Sequence, residues 1–171
     1  MPILKVKHKA APAASVAALP KYHDSKALSS VIDYCTHPGK ASYVGGIGVN
    51  LSQAAYEMEQ VARAFDHEHG LHLRHWVLSF QPKELRGYEH GMDGLLQTIA
   101  WTAASYYGGQ YQIIYAIHNA PKPHIHFVMS TTNHVTGRKY PGDKADYYAY
   151  QVFLRDFLQM YGMPLIVYND T

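Results

Sequence analysis

The stretch YQIIYAIHNAPKPHIHFVMSTTN (111–133) decides the fold that this sequence predicts. Its two ends, 111–119 and 124–133, are rich in β-branched and aromatic residues, which is typical of strands. The Pro-Lys-Pro segment between them favours a tight connection, because proline fixes the backbone angle and cannot donate to a sheet ladder. We therefore expect an antiparallel hairpin at the centre of a sheet.

Three histidines belong to this hairpin. On a strand, alternate side chains project from the same face, so His124 and His126 point one way while Ile125 and Phe127 face the other layer. His118 ends the first strand and comes alongside them. Three neutral imidazoles can hold a divalent ion, but an ordinary strand with imidazoles on a solvated face has the same spacing. The spacing alone leaves both interpretations open.

Hydrophobic periodicity and turn residues predict the other elements. One helix is expected after the capping residue Ser25, ending at Pro38-Gly39, and a second over 51–69 after the capping residue Asn50. Further helices are expected over 94–107 and 147–162. Further strands are expected over 3–9, 72–80 and 164–168, with irregular segments over 10–20 and 39–50. The order β-α-α-β-α-β-β-α-β predicts an α+β fold, a mostly antiparallel central sheet of about five strands flanked by helices.

Size and composition set broad limits. The 171 residues are one domain's worth of chain, and their hydrophobic fraction of 47% is that of a globular protein. The formal charge of +2 neither requires nor excludes a nucleic-acid partner. The lone Cys35 excludes an internal disulfide and suits a reducing cytosol. No signal peptide or membrane-spanning run is evident.

Three separated motifs carry a resemblance to a known family. They are VIDYCTHPGKAS (31–42), VLSFQPKE (77–84) and IHNAPKPHIHFVMSTTNHVTGRKY (117–140). Their order and separations resemble those of conjugative and mobilisation relaxases, members of the HUH endonuclease superfamily, in the VirD2-like and MobA/MobL-type (MOBP-like) branch. The resemblance implies a relaxase and Rep-like palm fold for residues 1–171 as a single domain, expected as the N-terminal part of a longer protein.

The resemblance implies a metal-dependent DNA endonuclease and transesterase. Such an enzyme nicks single-stranded DNA at an origin of transfer, keeps the 5′ end as a phosphotyrosine and rejoins the strand during conjugative transfer of a plasmid or integrative element. The implied cofactor is Mn²⁺ or Mg²⁺, with Zn²⁺ as a further option. We expect a monomer in the bacterial cytoplasm that works with accessory relaxosome proteins and a coupling protein, binds no membrane, and passes with the DNA into the recipient cell.

The family pattern implies a role for several side chains. A phenol is a poor nucleophile unless a base or metal lies nearby, and a phosphodiester needs its oxygens neutralised. The implied roles are Tyr34 as the nucleophile, Ser79 as a contact to the DNA 3′ end, His118, His124 and His126 as metal ligands, and Lys40, Arg138 and Lys139 as contacts to the DNA backbone.

The sequence also departs from the family pattern. Relaxases usually carry an aspartate two residues after the first histidine, whereas residue 120 here is alanine. Asp33 would point off another face of its helix, so Glu84 is the better candidate for the general base or for supporting a ligand. The asparagine that often follows the second strand is replaced by Ser130, and Asn133 is expected to contact DNA instead.

Other interpretations remain open at this stage. A rolling-circle replication initiator or a single-strand transposase would place its nucleophile after the histidine pair, where Tyr147, Tyr148 and Tyr150 lie. A DNA-binding module that kept the fold and lost the chemistry is a third possibility. Tyr22 is the reserve nucleophile. The histidines at 67, 69, 72 and 75 suggest a second metal site, but we expect them to be exposed because Gly70 separates them into two pairs.

Overall fold

The computed structural model describes residues 1–6, 21–23, 26–88, 90–119 and 121–168. Six strands and four α-helices make up these residues. In chain order they are β1 (Ile3–Val6), α1 (Ala27–Thr36), β2 (Tyr43–Ile47), α2 (Ala54–Ala64), β3 (Leu73–Ser79), α3 (Met92–Gly108), β4 (Tyr111–His118), β5 (His124–Asn133), α4 (Lys144–Gln159) and β6 (Ile166–Tyr168). Short 3-10 turns occupy Lys21–His23, Leu51–Gln53 and Pro82–Leu85.

All six strands form one sheet, in the order β2-β4-β5-β3-β1-β6. The neighbouring pairs are antiparallel except for β1 and β6, which run parallel at the edge. The hairpin of β4 and β5 lies near the centre, as the sequence predicts. The α+β class and the mostly antiparallel sheet are therefore confirmed, with one strand more than expected.

Helices cover both faces of the sheet, and the two-residue period of the strands divides the core between them. On one face, α3 and α4 pack over Ile125 and Phe127, both fully buried. On the other face, α1 and α2 pack over Ala116 and Val128. Histidines 124 and 126 alternate with the residues of the first face, so they lie on the side of α1 and α2.

The additional strand is β2, which lies in the Gly-rich segment that we expected to be irregular. Gly45 pairs across the ladder with Tyr115, and a Cβ at Gly45 would lie 2.3 Å from the Tyr115 ring. The tyrosine ring therefore occupies the space above a glycine, an arrangement that stabilises glycine in a sheet. The glycine content reflects this close packing as well as turns, so the expectation of an irregular segment was wrong.

Helix boundaries differ from the expected ones by a few residues. Helix α2 ends at Ala64 and not near 69, because the backbone of Asp66 enters the left-handed region with φ 57°. Helix α4 starts at Lys144, where the Asp143 side chain accepts from the Asp146 N–H as an N-cap. Ser25, residues 7–9 of the predicted first strand and the segment 10–20 lie outside the described residues. Within the described ranges, no helix has the length and apolarity needed to cross a bilayer.

The packing at β2 gives a test of the fold. We expect Gly45→Ala to destabilise the protein by roughly 1–3 kcal/mol, because the added methyl overlaps the buried Tyr115 ring. Gly94→Ala is the matched control: it lies in α3 with nothing within 4 Å of the added carbon, and we expect unchanged or higher stability, by up to about 1 kcal/mol. Urea denaturation of both variants measures the difference. Equal stabilities would contradict the assigned β2–β4 packing.

Candidate metal centre and nucleophile

Strand register brings three histidines together at one end of the sheet. His118 pairs with His124 across the β4–β5 ladder, and His126 lies two residues further along the same face. The three rings are 4.7–4.9 Å apart, and one ring nitrogen from each lies within 4.8 Å of the others. Three nitrogen donors this close to one another fit the donor set of a divalent transition-metal site.

Hydrogen bonds to backbone carbonyls leave one nitrogen available on two of these rings. His118 donates from Nε2 to the Cys35 carbonyl at 2.7 Å, and His124 donates from Nδ1 to the Lys122 carbonyl at 2.8 Å. A carbonyl only accepts, so the opposite nitrogen of each ring carries a lone pair. Burial also lowers the pKa of His118, which favours the neutral form that binds metal.

Tyr34 lies beside the histidines on the last turn of α1. Buried Val31 and Cys35 anchor α1 in the core, while Tyr34 points outward with 56% of its surface exposed. Its ring meets the His126 ring edge-on, with 6.0 Å between the ring centres. An exposed phenol next to three imidazoles has both solvent access and a possible source of activation.

The turn after α1 places a cation against the same tyrosine. The N–H groups of Lys40 and Ala41 donate to the His37 carbonyl, and Ser42 bonds to the Ile117 carbonyl of β4. This arrangement holds the Lys40 amine 4.7 Å from the centre of the Tyr34 ring. The turn, Tyr34, His118, Asn119 and His124 line an open cleft of about 520 Å³.

Ser79 and Glu84 have different surroundings. Ser79 is the register partner of His124 on β3, so its side chain lies on the histidine face, half-buried beside the triad. One Glu84 oxygen accepts from the Gln81 N–H at 2.7 Å, and its other oxygen meets the Met1 amine. Glu84 therefore closes a capping box at the Pro82–Leu85 turn, which argues against the role of general base expected for it.

Three of the residues expected to contact DNA lie at the other end of the sheet. They are Asn133, Arg138 and Lys139. Asn133 is nine residues from His124 along β5, about 30 Å at about 3.3 Å per residue. Its buried side chain accepts from the N–H groups of Val135 and Thr136, so in this structure Asn133 holds the turn that follows β5. Arg138 is exposed there, and Lys139 bonds to the His67 and His69 carbonyls.

The alternative nucleophiles are poorly placed. Tyr147, Tyr148 and Tyr150 belong to α4, which packs on the face of the sheet opposite to the histidines. Tyr22 is on the correct face, but only 8% of it is exposed and burial raises its pKa to about 12. Tyr34 is thus the candidate with both exposure and proximity to the triad.

Sequence reasoning did not place His75 in the site. It was expected to be exposed, but it is 6% exposed, and its Nε2 lies 2.9 Å from Nδ1 of His126. His75 has the same strand parity as Ser79, which indicated a shared face. Only the β3–β5 register, in which Val77 pairs with His126, shows that His75 lies next to a metal-ligand candidate.

Comparisons with known proteins agree with this architecture. Two crystal structures of the Mn-bound MobM relaxase domain with oriT DNA of plasmid pMV158, one with a 22-nucleotide DNA and one with an added 3′ thiophosphate, match with TM-scores of 0.62. The alignments cover 96% of this chain and 88% of the MobM relaxase-domain chain at 12–13% identity, which establishes a shared fold. No curated protein sequence matched. The family model for the nuclease domain of MobA/VirD2-like relaxases matches residues 34–163, and the chain therefore belongs to this relaxase family.

Proposed function

We propose that this domain, residues 1–171, nicks single-stranded DNA at an origin of transfer and joins the 5′ end to Tyr34. The observation that carries the proposal is the position of an exposed Tyr34 ring, 6.0 Å from His126, in the cleft that His118 and His124 also line. Family membership supports DNA nicking, and the geometry supports these residues as its centre.

The three histidines would hold the metal ion. The three rings project from one face of the sheet, so they would hold the ion from one side and leave it accessible to a substrate oxygen. When bound, a divalent ion would neutralise charge on the non-bridging oxygens of the scissile phosphate. We propose Mn²⁺ as the ion, because the MobM structures of the same fold are Mn-bound, with Mg²⁺ next and Zn²⁺ as a further option.

Tyr34 would supply the nucleophile. The phenol would release its proton to solvent, and its oxygen would then attack phosphorus in line with the departing 3′ oxygen, so the new P–O bond forms as the P–O3′ bond breaks. The Lys40 amine lies 4.7 Å from the centre of this ring, where its positive charge would attract the phosphate that the tyrosine attacks. The departing 3′ oxygen takes up a proton and becomes a hydroxyl. The reverse attack by this hydroxyl reseals the strand without ATP, because the phosphotyrosine retains the bond energy.

Other side chains would position the DNA. Ser79 lies on the histidine face beside His124, where we propose that it contacts the DNA near the cleaved end. Lys40 is close enough to the cleft to pair with a phosphate next to the scissile bond. Arg138 and Lys139, at the far end of β5, would contact the DNA backbone well away from the cleavage point.

The cellular setting is proposed from the family. The domain would act as a monomer in the bacterial cytoplasm, with accessory relaxosome proteins and a coupling protein, during transfer of a plasmid or an integrative element. It would then enter the recipient cell with the DNA to which it is joined. The family of MobA/VirD2-like relaxases supports this setting.

Replacement of the nucleophile tests the reaction. We expect Tyr34→Phe to abolish the covalent adduct with a labelled single-stranded origin oligonucleotide in Mn²⁺, because the attacking oxygen is removed. Denaturing gel electrophoresis detects the adduct. The fold should be retained within about 0.5 kcal/mol, since Tyr34 is exposed. Tyr148→Phe, an exposed tyrosine on the opposite face, is the matched control and should keep the adduct. An adduct that persists in Tyr34→Phe would rule out this nucleophile.

Replacement of the ligands tests the metal site. We expect alanine substitution at His118, His124 or His126 to weaken Mn²⁺ binding by more than roughly 100-fold. Loss of a residue that only hydrogen-bonds a metal ligand costs roughly 10- to 100-fold, and loss of a ligand itself should cost more. Isothermal titration calorimetry without DNA gives the affinity. His69→Ala, an exposed histidine at a distance, should bind Mn²⁺ like the unmodified protein. Equal affinities in all four variants would place the ion elsewhere.

A further inference from the structure

A buried chain of hydrogen bonds runs behind one of the proposed metal ligands. His75 Nε2 lies 2.9 Å from Nδ1 of His126, and His75 Nδ1 lies 3.1 Å from the Tyr22 hydroxyl. All three side chains are more than nine-tenths buried. His126, His75 and Tyr22 therefore form a continuous hydrogen-bonded chain from the site into the core beneath α1.

Neutral groups in such a chain have two proton arrangements. In the first, His126 Nδ1–H donates to His75 Nε2 and His75 Nδ1–H donates to the Tyr22 oxygen, so the lone pair of the His126 ring lies on Nε2. In the second, every bond is reversed, the hydrogen of His126 lies on Nε2, and that nitrogen cannot bind a metal. Metal binding at Nε2 therefore requires the first arrangement.

We propose that His75, supported by Tyr22, is a positioning residue that holds His126 in the ring orientation and tautomer required for metal binding. The inference rests on the metal site of the proposed function. Metal-ligating histidines usually donate their second N–H to a partner that sets ring orientation and basicity. For His126 the partner is an imidazole, because His75 occupies that position on β3.

Tyr22 suits the end of this chain. It is a neutral phenol over the working pH range, since burial raises its pKa to about 12, and a phenol can accept a hydrogen bond as well as donate one. It can therefore accept from His75 in the metal-bound arrangement without adding a charge. A partner without negative charge also leaves more of the ion's positive charge for the phosphate than a carboxylate would.

A second arrangement of the same residues has to be distinguished. The Cys35 thiol lies 3.7 Å from His75 Nε2, and Cys35, His75 and His126 together could hold a metal ion themselves. The 2.9 Å separation of the two ring nitrogens is a normal hydrogen-bond distance, which favours the hydrogen-bonded chain. In the hydrogen-bonded chain, Cys35 is a neighbour that takes no part in metal binding.

The experiment measures Mn²⁺ affinity by isothermal titration calorimetry on the whole chain without DNA. We expect His75→Leu to weaken binding by roughly 10- to 100-fold. His75→Gln should bind within a few-fold of the unmodified protein, because its amide oxygen reaches the position of Nε2 and accepts the same hydrogen bond. Tyr22→Phe should have a smaller effect. It should have none in the His75→Leu background, since Tyr22 acts through His75.

Several results would overturn the inference. The first is an unchanged Mn²⁺ affinity in a folded His75→Leu variant. The second is a loss of affinity in His75→Gln as large as that in His75→Leu. The third is an equal effect of Tyr22→Phe in the unmodified protein and in the His75→Leu background. A loss in Cys35→Ala as large as in His75→Leu would place the ion in the buried set. If His75→Leu does not fold, a loss of affinity of roughly 10-fold or more in His75→Gln, or an unchanged affinity in Tyr22→Phe, overturns the inference.

Two controls separate the possible causes. Ile114→Ala creates a packing defect in the same core at a residue that is not a member of the hydrogen-bonded chain, so it should lower the melting temperature and leave Mn²⁺ affinity unchanged. The unmodified protein tests the proposed function itself. Absence of Mn²⁺ binding there removes the metal site and with it this inference, whereas normal binding with an unaffected His75→Leu removes the inference alone.

Discussion

The antiparallel register of β3, β5 and β4 is the constraint on which the site depends. Cross-strand partners share a face of a sheet, and alternate residues along a strand return to that face. This register places His118 opposite His124 and Ser79 opposite His124 from the other side. A shift of one residue in either ladder would turn one strand's side chains to the opposite core and dismantle the cluster. The central position of β5 between two long ladders secures the register.

One face of the sheet carries most of the hydrophobic core, and the other carries the site. The face under α3 and α4 carries an extensive apolar and aromatic core, in which Trp76 stacks on Phe127 with 5.3 Å between the ring centres. The face under α1 and α2 has a smaller apolar core that merges into the polar site. Because apolar packing against that face holds α1, its last turn can expose Tyr34 while its buried Cys35 carbonyl orients His118.

Prediction from sequence succeeded where local patterns report directly on structure. Alternation along 124–133 predicted the strand and the shared face of His124 and His126, and Pro38-Gly39 predicted the end of the helix that carries Tyr34. It failed at Gly45, where a cross-strand ring and not a turn explains the glycine. Asn133 and Glu84 are polar residues next to motifs, but their side chains complete local backbone caps, which a one-dimensional pattern does not distinguish from ligand contacts.

By itself, the sequence determined the fold class, the central hairpin, the family and the residue types of the site, because hydrophobic period, turn residues and motif order are local properties. Only the tertiary structure decided how far Tyr34 lies from the triad, and that His75 contacts His126. The reason is physical: contacts between residues such as His75 and His126, 51 positions apart, depend on strand register and helix packing, which are set by the whole core.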